Sequence, residues 1–442
     1  MMLHYKRTSD SISVKGKTYK DREKHMPIVL FCVCATTVNA IIPQPQDGAT
    51  LDELIEYYFS QLYTQDEILG FLLFLHNVMI SKRTLKRILR RLNLRRRGVE
   101  NLLPDIVRKI VDLRRFGYDQ VGYRTMWRLL NTLYGVRATQ ETVRIALSVI
   151  DTDGVNARRR RRLIRRSYNS RGPNDCLHVD GYDKLKPFGI SIHGCIDGFS
   201  RKIMWLTASH TNKNPRYVAR YFVEHLKKYK RVPRSVRTDA GTENVLIHRI
   251  QMALRYRHRD PSAGVHSVSV GRSTANQRIE MLWSFLMRNF TIFWKNLFNS
   301  LVEEGILNNT DPLHLECVRF CFLPIIQLHL NQFEEMWNTH RIRQQGFAEQ
   351  CYGIPNVMYF QPIIYGKLDQ SFALPCGDTV LDDIADQYTE QTLHRGVSHE
   401  FRQLVSLVTG LTIEDFDVVQ TPDEAKTLYR HLISLMLHTI FA

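Results

Sequence analysis

Three widely spaced acidic residues have the chemical type and the setting expected of ligands for a divalent metal ion. Asp180 and Asp239 each end a short apolar run, which is the pattern of a strand followed by a turn. Glu280 lies within residues 276–283, which we predict to be helical. Hard cations such as Mg²⁺ take oxygen ligands and usually only one or two carboxylates each. Three converging acids therefore predict a two-ion site that would support in-line attack on a phosphodiester.

The segments between these acids predict a strand-rich unit with helices. Residues 188–197 and 202–208 have the pattern of two strands joined by a tight turn at Gly198. Residues 215–229 have apolar side chains at helical spacing and lysines near their end, which predicts a helix. The predicted order is three strands, a helix, the strand that carries Asp239, and two further helices.

This order resembles the ribonuclease H-like catalytic core of retroviral and retrotransposon integrases and related DDE transposases. The matching residues are the strand-end Asp180, the block 238–244, the turn at 196–201 and the segment 276–283. The resemblance implies an α/β fold with a mixed five-stranded sheet flanked by helices. It also implies that Asp180, Asp239 and Glu280 are catalytic and hold two Mg²⁺ (or Mn²⁺) ions. The amino-terminal His-His-Cys-Cys zinc module of retroviral integrases is not recognisable here.

Other polar residues near these acids leave alternatives open. Asp183 could replace Asp180 as a ligand, although it lies further into the predicted hairpin. Asp197 precedes Gly198 and is most simply a turn residue. We expect Asn276 and Arg278, which flank Glu280 on the predicted helix, to lie near the backbone of a bound nucleic acid.

The overall composition indicates a globular protein with a polyanionic partner. Apolar residues make up 44% of the sequence, and 61 basic against 44 acidic residues give a formal charge of +17. DNA is the expected partner, because the basic residues cluster upstream of the predicted core. The eight cysteines include no Cys-x-x-Cys pair, which favours free thiols in a reducing compartment.

A strongly basic helix is predicted ahead of the core, over residues 81–97. Ser81 can cap it, Leu85, Ile88 and Leu89 form its apolar stripe, and the other face is basic. That pattern is typical of the recognition helix of a helix-turn-helix unit. The predicted DNA contacts on this helix are Lys82, Arg83, Lys86, Arg87 and Arg90. Residues 101–150 form a second predicted unit of this kind, similar to the one that precedes the core of many integrases.

A dense arginine run lies in the linker between the second unit and the core. We predict that it binds DNA phosphates, with binding that weakens as salt rises, or acts as a nuclear localisation signal. The two roles are compatible, and we expect a nuclear protein, with an additional cytoplasmic location as the alternative. The residues of the run are Arg158, Arg159, Arg160, Arg161 and Arg162.

These observations predict six segments and a soluble protein. We predict a poorly ordered segment at 1–50, the two helical units at 51–100 and 101–150, a basic linker at 151–172, the catalytic core at 173–345 and a mainly helical extension at 346–442. The apolar stretch 27–43 is short for a membrane span, and we expect no other stretch to cross a membrane. No membrane partner and no small-molecule cofactor are expected.

Three functions are compatible with these residues. The first is a polynucleotidyl transferase of the integrase or transposase type, derived from a mobile element and acting on two DNA ends as a homo-oligomer, a dimer or a tetramer. The second is a domesticated DNA-binding or chromatin-associated protein that keeps the fold but performs no chemistry. The third is a metal-dependent nuclease of the same fold.

Overall fold

The computed structural model describes residues 48–96, 98, 100–152, 155, 168–271, 276–343, 351–412, 416 and 419–441. Most of the predicted segment 1–50, its apolar stretch at 27–43 and the arginine run at 158–162 lie outside the described residues.

The described part begins with helices, as the sequence pattern predicts. The first group is α1 (Leu51–Ser60), α2 (Gln65–His76) and α3 (Lys82–Arg91). Thr50 and Thr64 form capping boxes with Glu53 and Glu67, and Ser81 caps α3 by accepting a hydrogen bond from the Thr84 amide. The second group is α4 (Leu103–Leu113), α5 (Tyr123–Arg128) and α6 (Gln140–Ile150).

A mixed sheet follows, and it is the sheet that the resemblance implies. Within the described residues it has five strands in the order β3-β2-β1-β5-β6. The strands are β1 (Leu177–Tyr182), β2 (Ser191–Asp197), β3 (Ile203–Ser209), β5 (Val236–Thr238) and β6 (Val268–Val270). β1, β2 and β3 pair antiparallel, whereas β5 runs parallel to β1 and β6 parallel to β5. This topology confirms the predicted ribonuclease H-like fold.

Helices cover both faces of this sheet. They are α7 (Pro215–Tyr229), α8 (Val245–Arg255), α9 (Gln277–Leu286), α10 (Ile292–Glu303) and α11 (Pro312–Thr339). Leu177, Val179 and Val236 belong to the core shared with α7 and α8, which we call the α7 face. Ile192 and Ile196 belong to the core shared with α9, α10 and α11, which we call the α9 face.

The carboxyl-terminal part is mainly helical and joins both cores. Its helices are α12 (Pro355–Phe360), α13 (Asp378–Tyr388), α14 (His399–Thr409) and α15 (Pro422–Phe441). The short strands β4 (Arg231–Val232) and β7 (Phe372–Ala373) pair antiparallel, and thereby tie this part to the catalytic core. The α13 residues Leu381 and Ala385 pack in the α7-face core, and α15 packs in the α9-face core.

The two amino-terminal groups of helices join different cores. Residues of α1, α2 and α3 belong to the α7-face core, where Phe71 packs edge-on against Phe360 of α12. Residues of α4, α5 and α6 belong to the α9-face core, where Gly117, at φ +97°, lies against Phe293. A Cβ at Gly117 would come within 2.9 Å of the Phe293 ring, so both the backbone angle and the space require glycine.

The apolar helix α11 corrects one expectation of the sequence. By length and composition it could cross a membrane, although we expected no such stretch outside residues 27–43. Its apolar side chains are accounted for by packing, because Phe320, Phe322, Ile325 and Ile326 are fully buried in the α9-face core. A helix that is apolar on nearly all sides is what a core position in a large domain requires.

Candidate active site

The register of two parallel strands brings the first two acids to the same edge of the sheet. β1 pairs with β5 so that Leu177 lies opposite Val236 and His178 opposite Arg237. Continuing this register by two residues puts Asp180 beside Asp239, which directly follows β5. Neighbouring strands lie about 4.8 Å apart, so the two carboxylates originate from adjacent backbone positions.

The Asp180 carboxylate is held by two donors. The indole Nε1 of Trp283, on α9, donates to Oδ2 at 2.9 Å, and the Gly181 amide donates to Oδ1 at 2.9 Å. The Trp283 ring lies on β2 at Gly194, where a Cβ would approach the ring to 2.7 Å. Glycine at that position therefore lets the indole lie flat enough on the sheet to reach Asp180.

The Asp239 carboxylate lies in the turn that leads into α8. Its Oδ1 accepts hydrogen bonds from the Gly241 amide at 3.3 Å and from Nδ2 of the fully buried Asn244 at 3.4 Å. The preceding Thr238 hydroxyl contacts Nε2 of His248 at 2.9 Å. These contacts hold the backbone of the turn, while the carboxylate stays partly exposed.

Glu280 lies on α9 in the orientation that the helical pattern predicts. Ile279, Leu282 and Leu286 are buried, whereas Glu280 is only partly buried beside them. Because Trp283 of the same helix contacts Asp180, α9 crosses the sheet next to the first two acids.

The negative charge of Asp239 acts on both Asp180 and Glu280. Burial, with the negative charges of Asp239 and Glu280, raises the pKa of Asp180 to about 7, although the Trp283 hydrogen bond opposes the change. Burial and the charge of Asp239 also raise the pKa of Glu280, and the nearby Lys184 lowers it. A carboxyl group surrounded by like charges is stabilised when a cation is added.

These acids do not form a closed metal cage. In the part of the chain that the structure describes, no three His, Cys, Asp or Glu side chains converge tightly enough to hold one ion. The donor set nevertheless fits Mg²⁺ or Mn²⁺, because it consists of carboxylate oxygens that repel one another. Asp180, Asp239 and Glu280 are thus the residues that would hold such ions.

Two residues predicted to lie near a bound nucleic acid, Asn276 and Arg278, have buried side chains, and their contact with DNA stays a prediction. Asn276 is 1% exposed, and its amide bonds to Nδ1 of His178 at 2.6 Å and to the Val179 carbonyl at 3.0 Å. Arg278 is 7% exposed, donates to the Gly198 carbonyl and stacks on the Tyr168 ring. Asn276 thus fastens the start of α9 to β1, and Arg278 fastens it to Gly198 and Tyr168.

The basic helix α3 has the predicted amphipathic arrangement. Leu85, Ile88 and Leu89 are buried. The basic side chains are exposed, and Lys82 pairs with Asp66 at 2.8 Å. The exposed residues are Lys82, Arg83, Lys86, Arg87 and Arg90. The structure contains no DNA, so their contact with DNA stays a prediction, as does that of Arg158 to Arg162, which lie outside the described residues.

Sequence reasoning missed several residues that shape this site. Trp283 follows Glu280 by three positions and is therefore its neighbour on the surface of the helix. This spacing is the one signal in the sequence that could have identified Trp283. Asp183, the alternative ligand, forms an ion pair with Lys186 at 3.0 Å and accepts a hydrogen bond from Asn212. Burial and the charges of Asp239 and Asp183 raise the pKa of Glu243, which places Glu243 near Asp239 as well.

Comparison with known proteins supports the same region of the chain. The family model described as the integrase core domain matches residues 167–361, a range that contains β1 to β6, α7 to α11 and α12. The match begins slightly before the predicted core at 173–345 and extends beyond it. No curated protein matches the chain.

Proposed function

Because residues 167–361 of this chain are an integrase core domain of the ribonuclease H-like superfamily, we propose that the protein is a polynucleotidyl transferase that cuts and joins DNA strands. The observation that supports this most directly is the arrangement of Asp180, Asp239 and Glu280. Continuing the β1–β5 register sets Asp180, which lies within β1, beside Asp239, which directly follows β5, and Glu280 lies on the helix whose tryptophan donates a hydrogen bond to Asp180.

The proposed roles of these residues follow from their contacts. Trp283 and Gly181 fix the orientation of the Asp180 carboxylate, and Asn244 does the same for Asp239. The three carboxylates would hold Mg²⁺ or Mn²⁺, which supplies electrostatic stabilisation for the attacking and leaving oxygens of an in-line displacement. No covalent bond between protein and DNA is needed, since a water molecule and then a DNA 3′-hydroxyl can serve as nucleophiles.

The rest of the chain supports DNA as the substrate. The formal charge of +17 favours a polyanion, and the exposed basic face of α3 is of one sign. We include in this proposal a helix-turn-helix role for α2 and α3, a homo-oligomer on two DNA ends and a nuclear location. The arginine run at 158–162 would contribute to DNA binding and to nuclear import.

A strand-transfer assay tests the proposal. The full chain is incubated with labelled duplex DNA ends and Mn²⁺, and the joined products are resolved on a gel. Asp180→Asn, Asp239→Asn and Glu280→Gln should each reduce joining by at least ~100-fold, because each removes a negative charge that would hold the metal ions, while DNA retention persists. Glu303→Gln, an exposed acid on α10, is the control with the same loss of charge.

Each other outcome selects a different function. Retention of DNA by the unmodified chain without cleavage would favour the silent DNA-binding protein. Cleavage without joining would favour a nuclease of the same fold. Joining that survives all three substitutions would contradict the assignment of the three acids.

A further inference from the structure

A second concave site lies away from the three acids. It forms where α5, the start of α6, α9 and the end of α11 meet, and its volume is about 370 Å³. That volume falls in the lower part of the range of small-molecule sites, which is roughly 300–1,000 Å³. Phe285 lines this pocket and lies on the same helix as Glu280, five residues further on, so the pocket and the acids share α9.

The pocket is strongly cationic. Four arginines line it, namely Arg124, Arg128, Arg341 and Arg343, and no acidic side chain is among its described lining residues. Arg341 is ion-paired with Glu67 at 2.7 Å. Arg124 and Arg343 are exposed at the rim, so they can meet a ligand without rearrangement of the core.

Arg128 is the most enclosed of the four. One of its terminal nitrogens donates to the Gln61 carbonyl, and its buried Nε has no hydrogen-bond partner within the described residues. Burial lowers the pKa of Arg128 to about 10, although Tyr63, Glu67 and Glu335 favour the charged form. Because Nε has almost no accessible surface, Arg128 would contribute its positive charge to an anion in the pocket, and not a hydrogen bond from Nε.

Aromatic side chains restrict the kind of anion. Trp127 and Phe285 line the pocket, and the Trp127 indole is held by a hydrogen bond from Nε1 to the Ala138 carbonyl at 2.8 Å. An inorganic phosphate would use only the arginines. A nucleotide would use both components, because its phosphates pair with guanidinium groups and its base stacks on aromatic rings.

We infer that this pocket binds a nucleoside phosphate, with the phosphates on Arg124, Arg128 and Arg343 and the base against Trp127 and Phe285. The same chemistry has two sources, a free nucleotide or a nucleotide of a DNA strand that passes the three acids. The second source rests on the proposed function, and the first does not.

Binding measurements with defined probes test this inference. The full chain is titrated calorimetrically with ATP, with a 5′-phosphorylated thymidine pentanucleotide and with tripolyphosphate. The double variant Arg124→Gln/Arg343→Gln should weaken binding of ATP, the pentanucleotide or both by at least ~10-fold, because it removes two charge-assisted contacts. Arg115→Gln removes an exposed arginine outside the pocket and should change binding less than ~2-fold.

The three probes separate the possible ligands. Binding of ATP identifies a free nucleotide, and binding of the pentanucleotide alone identifies a DNA strand. Whichever of ATP and the pentanucleotide binds should do so about tenfold more tightly than tripolyphosphate, and Phe285→Leu should reduce that difference. Equal affinity for tripolyphosphate would overturn the nucleoside assignment. If the double variant binds ATP and the pentanucleotide as tightly as the unmodified chain does, the proposed site is wrong. If the unmodified chain binds neither of them, the proposed site is also wrong.

The binding measurements test the pocket independently of the strand-transfer assay. A chain that binds ATP through the two arginines but joins no DNA ends would contradict the proposed function and leave this inference intact.

Discussion

A chain of buried hydrogen bonds positions the helix that carries Glu280. The Tyr168 hydroxyl contacts Nε2 of His178 at 2.7 Å, and Nδ1 of His178 contacts Asn276 Oδ1 at 2.6 Å. Burial lowers the pKa of His178 to about 3, so the ring is neutral, with Nδ1 donating and Nε2 accepting. Asn276 also donates to the Val179 carbonyl, one residue before Asp180. Asn276, which immediately precedes α9, is thus hydrogen-bonded to β1, the strand that carries Asp180.

Another buried histidine predicts how stability depends on pH. His225 lies on α7 between Trp205 and Tyr229, and its Nδ1 has no partner within the described residues. Burial, with the charges of Lys228 and Lys202, lowers the pKa of His225 to about 3. The unfolded chain therefore takes up this proton first, near pH ~6.5, so stability is present above that pH and is lost as pH falls toward the folded pKa.

We expect His225→Phe to remove this loss. The free energy of unfolding of the variant minus that of the parent chain should be ~2 kcal/mol larger at pH 5 than at pH 8, since each pKa unit is worth about 1.4 kcal/mol. Any packing cost of the larger ring is the same at both pH values. Urea unfolding of both chains at pH 8 and pH 5 measures the change.

Comparing the variant with the parent chain isolates the contribution of His225 to the pH dependence of stability, because other titrating groups contribute equally in both chains. Burial raises the pKa of Asp197 to about 6, so that carboxyl group contributes stability at low pH, but it does so in both chains. His431→Phe, at an exposed position on α15, is the matched control. A difference in stability that is identical at both pH values would contradict the prediction.

At the scale of elements, α11 covers the free edge of the sheet. The side-chain amide of Asn338 accepts from the Ile203 amide at 2.8 Å and donates to the Ile203 carbonyl at 3.1 Å. Gln327 accepts from the Ala208 amide at 2.8 Å and donates to the Leu206 carbonyl at 3.1 Å. Both amides make the hydrogen bonds that another strand would make, so the edge strand β3 cannot pair with a second chain there.

Asn338→Ala should therefore destabilise the fold by about 1–3 kcal/mol, because it leaves a buried amide and carbonyl of β3 without partners. Thermal unfolding followed by circular dichroism measures the effect. Asn299→Ala, on the exposed side of α10, makes the same change of helix propensity without touching the sheet. Equal melting temperatures for the two variants would show that the amide does not stabilise the edge.

At the scale of the whole molecule, the sheet is enclosed by segments from both ends of the chain. The α7 face is covered partly by α1–α3, α12 and α13, and the α9 face partly by α4–α6 and α15. On α15, Tyr429 is fully buried, and its hydroxyl contacts Nδ1 of His314 on α11 at 2.7 Å. Lys227 of α7 pairs with Asp382 of α13 at 2.6 Å.

We accordingly expect a chain that ends at residue 345 to lose cooperative unfolding. Such a chain lacks β7, which pairs with β4, and lacks the buried side chains of α12, α13 and α15, each worth roughly 1.5–3 kcal/mol when fully buried. Differential scanning calorimetry of the truncated and full chains tests this. A truncated chain that melts at the temperature of the full chain would show that 173–345 and its amino-terminal helices are sufficient.

The local elements of the site could be predicted, and its internal contacts could not. The strand that ends just before Asp239 and the helix of Glu280 follow from short-range patterns and are present in the structure. The predicted strand end at Asp180 is wrong, because β1 continues to Tyr182. The polar residues Asn276 and Arg278 also occupy that helix or its start, but the same pattern could not reveal that His178 and Tyr168 enclose them. Burial depends on side chains distant in the sequence, which no local periodicity specifies.

The sequence by itself determined the residue types, the charge and the approximate positions of several elements, such as β2, β3 and α7, because backbone hydrogen bonds, caps and apolar periodicity act over a few residues. Only the tertiary structure decided the register that sets Asp180 beside Asp239, the contact of Trp283 with Asp180 and the arginine pocket beside α9. These features arise from packing between distant segments, such as those of Arg124 and Arg343, where shape and desolvation decide which side chains meet.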